Sequence, residues 1–422
     1  MDISELVIYR NLEHQDLFEE LACLLGYARM EREANPFFCG GRLTELAVQY
    51  GFEGNLWHCF LSFCLANHEN AYTTTCELMG AAHGSLDELA KEDYKIFKAL
   101  FDADITKLQP EGLWRTLADF RPAKTDSQVF NKRIRDRIVN LAVQLKQAAD
   151  VEEFQRYMVE FYKEFGVGKF GLNKAFRIVE REQGQKVVIE PVANVEHVYF
   201  KDIVGYELQK QKLIENTESF LAGREANNVL LFGDAGTGKS SSVKAALNEY
   251  YGRGLRIIEV YKHQFRALSY VLEQIKDRNY KFIIYMDDLS FEDYELEYKY
   301  LKAILEGGLG RRPDNVLIYA TSNRRHLIRE RFSDKRQLED ELHNNDTVQE
   351  KLSLASRFEV RIYFGSPDKH QFEQIVKALA KRYKLDMREE ELLAEANKWE
   401  LSHGGLSGRT AAQFITRLRG RG

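Results

Sequence analysis

Residues 233–240 form a glycine-rich loop whose residue types can hold a polyphosphate. The loop follows the apolar run Val229–Phe232 and consists, in order, of Gly233, Asp234, Ala235, Gly236, Thr237, Gly238, Lys239 and Ser240. Its glycines let backbone N–H groups turn toward phosphate oxygens, Lys239 can reach the outer phosphates, and the Ser240 hydroxyl can ligate Mg²⁺. From Ser240 and Ser241 onward the composition predicts a helix whose positive end faces the anion. This order predicts a site for a nucleotide polyphosphate with magnesium.

Two neighbouring acids, Asp287 and Asp288, end the apolar run 282–286. In an α/β sheet, ligands bind beyond the carboxyl ends of the strands, where the phosphate loop also lies. We therefore expect Asp287 to hold the metal ion opposite Ser240, and Asp288 to polarise an attacking water. Paired acids alone are common in loops, but at about fifty residues after a phosphate loop they predict Mg²⁺ binding.

Asn323 follows a third apolar run, 316–321. Its side-chain amide can lie between the γ-phosphate and the two acids and help to orient water. The alternative role of an asparagine at this position is to form a turn or to cap a helix.

The segments around these side chains predict an α/β architecture. Short apolar runs alternate with helical stretches, as in a parallel sheet covered by helices on both faces. The predicted strands are 229–232, 255–260, 282–286, 316–321 and 360–364. We divide the chain into a mainly helical N-terminal domain at 1–185, a nucleotide-binding domain at 186–365 and a C-terminal helical lid at 366–422. A shift to β-branched residues and a proline at 186–200 marks the first boundary.

The N-terminal region shows helical periodicity to about residue 180 and carries no catalytic motif. Its predicted helices are Asp16–Arg32, Gly54–Asn67, Ser127–Ala148 and Val151–Phe165. All five cysteines lie in the first 76 residues. The cluster of His58, Cys59, Cys64 and His68 lacks the tight C-x2-C pairing of structural zinc sites, so buried helix cysteines are favoured over a metal site.

Composition predicts a soluble globular protein of two or three domains, because 44% of the 422 residues are hydrophobic and 30% are charged. The sequence shows neither an apolar segment of about 18 residues nor the pattern of a signal peptide, so we expect a cytoplasmic protein without a membrane partner. The net charge of −5 disfavours sequence-independent nucleic-acid binding, although it leaves a local basic patch open.

Residues 198–420 resemble the AAA+ ATPases, and they look most like a bacterial AAA+ family catalogued as a domain of unknown function. In that resemblance, the phosphate loop matches Walker A, the two acids match Walker B and Asn323 matches sensor 1. Ile203 and Val204 look like the apolar contact to adenine. Arg357 lies where the family has its arginine finger, and Arg409 resembles sensor 2 of the helical lid.

The resemblance implies ATP and Mg²⁺ as ligands and hydrolysis of ATP to ADP and phosphate. A planar guanidinium can bind two γ-phosphate oxygens at once, and the neighbouring subunit can supply it. If Arg357 acts in this way, the protein is a homo-oligomer, such as a hexameric ring. The alternative for Arg357 and Arg409 is a structural pairing with a surface acid. The other candidates for the interface are Arg311, Arg312, Arg324 and Arg325.

The acid pair departs from the family pattern, which usually closes Walker B with Asp-Glu. Asp288 is one methylene shorter than glutamate, so hydrolysis is either slow or uses a repositioned water. We take Asp288 as the base and Glu292 as the fallback.

Three functions stay open. The first is an ATPase that changes the conformation of a protein client, with the N-terminal region choosing the client. The second is an ATP-gated scaffold that hardly hydrolyses. The third is a DNA-dependent ATPase similar to a helicase loader, which the charge disfavours. Segment 261–266 lacks the glycine of a threading loop, and the order of Asn323, Arg357 and Arg409 disfavours a small-molecule kinase.

Overall fold

The computed structural model describes residues 1–31, 33–121, 132–181, 186–192, 195–291, 297–306, 313–323, 354 and 356–420. The chain divides into two compact units, Met1–Asn173 and Lys174–Gly422. Among the described residues, no helix is both long and apolar enough to cross a membrane.

The first unit is helical. Its helices are α1 (Gln15–Leu24), α2 (Pro36–Tyr50), α3 (Leu56–Asn67), α4 (Ala71–Met79), α5 (Ser85–Asp102), α6 (Glu111–Ala118), α7 (Lys132–Gln147), α8 (Val151–Phe165) and α9 (Gly168–Leu172). Side chains of Asn35, Asn55 and Asn70 accept hydrogen bonds from the first-turn backbone N–H groups of α2, α3 and α4, which explains where these helices begin. Helix α3 is apolar around nearly its whole circumference, so it forms the centre of this unit.

The predicted helices of this unit are confirmed, although α3 begins at Leu56 instead of Gly54 and α1 is shorter at its C-terminal end. Helix α1 ends at Leu24 instead of Arg32, because Gly26 adopts a positive φ of 82° and turns the chain. The first residues of the helix predicted from Ser127 lie outside the described part of the chain, which has α7 from Lys132 onward.

The cysteines of α3 are buried, as expected. The Cys59 thiol donates to the carbonyl of Glu53, and the Cys64 thiol donates to the carbonyl of Glu13. Within the described residues, no group of three or more His, Cys, Asp or Glu side chains is arranged to hold a metal ion.

The second unit is a seven-stranded sheet with helices. Its strands are β1 (Ala175–Arg181), β2 (Lys186–Pro191), β3 (Val229–Gly233), β4 (Leu255–Glu259), β5 (Lys281–Met286), β6 (Val316–Ser322) and β7 (Val360–Phe364). The strand order is β2-β1-β4-β5-β6-β3-β7. All neighbours are parallel except β1 and β2, which pair antiparallel. The α/β fold class and all five predicted strands are therefore confirmed.

The helices of this unit are α10 (Glu207–Leu221), α11 (Lys239–Tyr250), α12 (Leu268–Ile275), α13 (Glu297–Glu306), α14 (Lys369–Arg382), α15 (Glu389–Ser402) and α16 (Gly408–Arg419). The last three pack around an apolar cluster of their own, with Phe372, Val376 and Phe414 at its centre. The structure groups them with the sheet in one unit. As a separate domain, the lid at 366–422 stays a prediction.

The expectation of helical structure to about residue 180 is wrong. Strand β1 occupies Ala175–Arg181 and pairs in parallel with β4. Phe176 and Ile178 are buried while Arg177 between them is exposed, which is the period-two pattern of a strand. The compact first unit ends at Asn173. The domain boundary at residue 185 stays a prediction.

Candidate functional site

The phosphate loop connects β3 to α11 through backbone that requires glycine. Gly233 has a φ of 133°, and a Cβ there would overlap the carbonyl oxygen of Phe364 in β7. Gly236 has a φ of 74°, and a Cβ there would lie 3.0 Å from the Cβ of Arg409. The glycines thus let the loop lie tightly between the sheet and the start of α16.

Lys239 begins α11 and is 5% exposed. Its ammonium donates to the carbonyl oxygens of Gly233 at 3.1 Å and Asp234 at 2.6 Å, so it folds back over the loop. Burial lowers the pKa of this ammonium, and the carboxylates of Asp234, Asp288 and Asp287 oppose that shift. A positive charge is therefore held inside the loop by backbone oxygens.

Three hydroxyl groups donate to a single oxygen of Asp287. The distances to Oδ1 are 2.7 Å from Ser240 Oγ, 2.6 Å from the Tyr285 hydroxyl and 2.5 Å from Thr321 Oγ1. Burial raises the pKa of the Asp287 carboxyl, but these hydrogen bonds outweigh burial and leave the pKa below its usual value. Burial also raises the pKa of the Tyr285 phenol, which therefore stays a donor. Asp287 is held as a carboxylate beside the loop.

Asp288 has an unusual backbone, with a φ of 50° in the left-handed region. Its N–H donates to Thr321 Oγ1 at 2.9 Å. Its Oδ1 accepts a hydrogen bond of 2.8 Å from Nδ2 of Asn323, and both side chains are exposed. The structure thus brings the two acids and Asn323 together at the ends of β5 and β6.

These residues line a cavity of about 670 Å³. From the predicted set, the lining residues are Ile203, Val204, Ala235, Gly236, Thr237, Gly238, Lys239, Ser240, Ser241, Asp287, Asp288, Asn323 and Arg409. Arg409 lies at the start of α16, and its backbone N–H donates to the carbonyl of Gly236 at 3.3 Å.

Gly233 and Asp234 are not among the residues that line the cavity. The Asp234 carboxylate accepts hydrogen bonds from the backbone N–H and the hydroxyl of Ser366, at 2.7 and 2.9 Å. Its own backbone N–H donates to the carbonyl of Phe364. Asp234 therefore fastens the loop to the segment that follows β7.

Arg357 lies away from the cavity of its own chain. Its carbonyl oxygen accepts a hydrogen bond from the side chain of Asn228, the residue that precedes β3. The five residues of β3 separate that end from the phosphate loop by about 16 Å, at ~3.3 Å per residue. The Arg357 backbone thus lies near the N-terminal end of β3, whereas Ser240 lies beyond its C-terminal end. Five further predicted residues lie outside the described part of the chain, namely Glu292, Arg311, Arg312, Arg324 and Arg325.

Sequence reasoning missed two of the residues that organise the acids, Thr321 and Tyr285. Thr321 lies in β6, two positions before Asn323, and Tyr285 lies in β5, two positions before Asp287. Period-two alternation that continues past the strand end puts such pairs on one face. It also missed residues of the C-terminal region that line the cavity, which are Ile375, Leu379, Arg382, Tyr383 and Ala412. Arg382 contacts Asp202 at 3.5 Å, which connects α14 to the segment before α10.

A family model described as "Protein of unknown function (DUF815)" matches residues 172–422, which includes the whole second unit. A curated relative is the replication factor C large subunit of Staphylothermus marinus, which is 42% identical over 66 residues. That match spans 15% of this chain and 15% of the relative.

Solved structures that are similar include the RuvB Holliday junction branch migration motor of Thermotoga maritima, at 16% identity and a TM-score of 0.37. The match covers 53% of this chain and 64% of the RuvB chain. A mutant form of the same RuvB protein gives 15% identity and a TM-score of 0.38, with 53% and 65% covered.

Proposed function

Because this chain belongs to the family described as "Protein of unknown function (DUF815)" and has an AAA+-type α/β fold, we propose that its second unit binds Mg-ATP and hydrolyses it at a subunit interface. The observation that carries this proposal is the 2.7 Å hydrogen bond between Ser240 and Asp287. It brings the hydroxyl of the phosphate loop and a strand-end carboxylate to one point, and both are ligand types that Mg²⁺ takes.

The cavity fits a nucleotide in size and in lining. Its volume of about 670 Å³ lies within the usual ~300–1,000 Å³ of ligand sites. Backbone N–H groups of 235–241 would hold the phosphates at the start of α11. Ile203, Val204 and lid residues such as Ile375 and Tyr383 would contact the base, because apolar and aromatic side chains line that part of the cavity.

In the proposed reaction, each side chain has one task. Asp288 accepts the proton of the attacking water, while Asn323 holds the carboxylate of Asp288 in place. Lys239 exchanges its backbone partners for phosphate oxygens, and Arg409 adds positive charge from the lid side. The chemistry that Mg²⁺ would supply when bound is neutralisation of the negative charge of the phosphates. Ser240 and Asp287 would be its protein ligands.

A neighbouring subunit completes the site in this proposal. The Arg357 backbone lies about 16 Å or more from its own phosphate loop, across the length of β3. An arginine placed there serves the cavity of another copy more readily than its own. The active particle is then a homo-oligomer, such as a hexameric ring, and the first unit chooses the protein client.

The test is the rate of ATP hydrolysis per subunit as a function of protein concentration. The control is Lys239→Ala, which removes the positive charge of the phosphate loop. We expect a rate that rises with concentration and saturates, together with weak ATP binding by the control. A rate per subunit that stays constant over the range in which the oligomer forms would contradict the interface. Stimulation by added DNA would instead favour a DNA-dependent ATPase.

One observation favours a second candidate, an ATP-gated scaffold that hardly hydrolyses. The hydrogen bond from Asn323 already occupies one oxygen of the proposed base Asp288. For such a scaffold, ATP would drive assembly without measurable phosphate release. Light scattering of the protein with ATP, with ADP and without nucleotide separates the two candidates.

A further inference from the structure

We propose that Thr321 is a positioning residue that couples the two acids: its hydroxyl holds Asp287 at the metal position and fixes the left-handed backbone of Asp288. This inference rests on the proposed function, because it assigns a task within the same site. Thr321 lies in β6, and the sequence motifs give it no role of its own.

The donor and the acceptor in each hydrogen bond of the Thr321 hydroxyl follow from its two partners. A carboxylate only accepts and a backbone N–H only donates, whereas a hydroxyl has one proton and two lone pairs. Thr321 Oγ1 therefore gives its proton to Asp287 at 2.5 Å and accepts the N–H of Asp288 at 2.9 Å. Its carbonyl oxygen also accepts the N–H of Leu289 at 2.7 Å. One buried threonine thus contacts three successive residues after β5.

The backbone of Asp288 needs such support. A φ of 50° costs free energy for any residue with a Cβ, and aspartate and asparagine tolerate it best because their short polar side chains can bond locally. Among the described residues, the N–H bond to Thr321 and the Asn323 bond to Oδ1 stabilise this conformation. The short side chain is therefore matched to its backbone, and a glutamate would fit this turn less well.

Tyr285 provides a matched control within the same cluster. Its hydroxyl donates to Asp287 Oδ1 at 2.6 Å, as Thr321 does. The contacts of Tyr285 in this cluster do not include the N–H of Asp288. Removing the phenol should therefore disturb Asp287 alone, whereas removing the threonine hydroxyl should disturb both acids.

The experiment compares Thr321→Val, Thr321→Ser and Tyr285→Phe in the full chain. Valine has the shape of threonine without its hydroxyl, and serine keeps the hydroxyl. A fluorescent ATP analogue is titrated without Mg²⁺ and then with increasing Mg²⁺, and ATP turnover is measured in parallel. All variants should bind the analogue without Mg²⁺ within about 2-fold of the wild type, because the loop is untouched.

With Mg²⁺, the midpoint concentration should rise about 10-fold in Thr321→Val and in Tyr285→Phe, the loss expected for one hydrogen bond to a charged group. Turnover should fall about 100-fold in Thr321→Val and only about 10-fold in Tyr285→Phe. Thr321→Ser should restore both quantities to within about 3-fold of the wild type. If Thr321→Val does not fold, Thr321→Ala takes its place, and thermal unfolding of each variant checks folding.

Equal Mg²⁺ midpoints and equal turnover for Thr321→Val and Thr321→Ser would overturn the inference. So would a Tyr285→Phe variant that loses as much turnover as Thr321→Val. These outcomes differ from failure of the proposed function, in which the wild type itself shows neither Mg²⁺-dependent binding nor turnover. If the wild type binds the ATP analogue with Mg²⁺ but does not hydrolyse ATP, the Mg²⁺ midpoints of Thr321→Val and Thr321→Ser test the inference.

Discussion

The side-chain amide of Asn323 donates a 2.8 Å hydrogen bond to Oδ1 of Asp288, across the ends of two adjacent strands. This contact joins the candidate base to the candidate sensor. Both residues line the cavity. In the proposed hydrolysis, proton transfer from water therefore depends on the charge of the exposed Asp288 carboxylate and on the left-handed backbone that positions it.

Asp288→Asn should retain ATP binding and lose at least about 100-fold in turnover, since a general base contributes ~10²–10⁴-fold. Asparagine tolerates the left-handed backbone as well as aspartate does, so the fold around the site should be unchanged. Binding of a fluorescent ATP analogue and steady-state phosphate release measure the two quantities. Normal phosphate release from this variant would remove Asp288 from the reaction.

Asp288→Glu should lower turnover although it restores the Asp-Glu pattern of the AAA+ family. The left-handed backbone costs ~1–2 kcal/mol for an ordinary residue, so glutamate should also destabilise the fold by about 1 kcal/mol. Urea unfolding and phosphate release check both effects. A variant that is faster than the wild type would show that the missing methylene limits the reaction and that the backbone does not compensate.

Arg357→Ala should lose about 10³-fold or more in turnover while it still binds ATP, because a transition-state arginine contributes ~10³–10⁵-fold. The decisive measurement mixes this variant with Asp288→Asn, each inactive alone. In a mixed oligomer, an intact Arg357 can serve a cavity that has an intact Asp288, so activity should return in part. A mixture as inactive as its components, with subunit exchange verified, would contradict an arginine that acts between subunits.

Strands β3, β5 and β6 could be predicted from the sequence because each is a nearly continuous apolar run, as expected for strands buried on both faces. Strands β4 and β7 were predicted from shorter apolar runs, which Arg256 and Arg361 interrupt. β1 was missed because its polar Arg177 alternates with Phe176 and Ile178, a pattern of seven residues that is easily read as the end of a helical region. The phosphate loop and the acids could be predicted because their spacing is local. Thr321 could not, because its partners Asp287 and Asp288 are brought to it only by the pairing of β5 with β6.

Asp234→Ala should destabilise the second unit rather than abolish nucleotide binding. The change removes two hydrogen bonds from Ser366 to the carboxylate, which together are worth about 2 kcal/mol. The loop backbone at 235–241, which lines the cavity, stays in place. Thermal unfolding and ATP-analogue binding at a temperature well below the transition separate the two effects. Loss of binding at full stability would instead give Asp234 a direct role toward the nucleotide.

His58 should make the stability of the protein fall as the pH is lowered below 6.5. Burial, followed by the positive charge of Lys146, lowers the pKa of this imidazole from 6.5 to about 4, while the Phe101 carbonyl and Asp102 oppose the shift. The folded pKa is depressed, so the unfolded chain takes up the proton first as the pH falls. Stability is therefore complete above pH 6.5 and is lost progressively toward pH 4.

The matched variant is His58→Gln, whose amide can still donate to the carbonyl of Phe101, the present partner of Nε2 at 2.9 Å. The difference in unfolding free energy between wild type and variant should change by about 2 kcal/mol between about pH 7 and about pH 4.5. This change is smaller than the full slope of ~1.4 kcal/mol per pH unit would give, because the ring is partly exposed. Urea unfolding at several pH values measures this difference. Parallel stability curves for the two proteins would show that His58 titrates normally in the folded state.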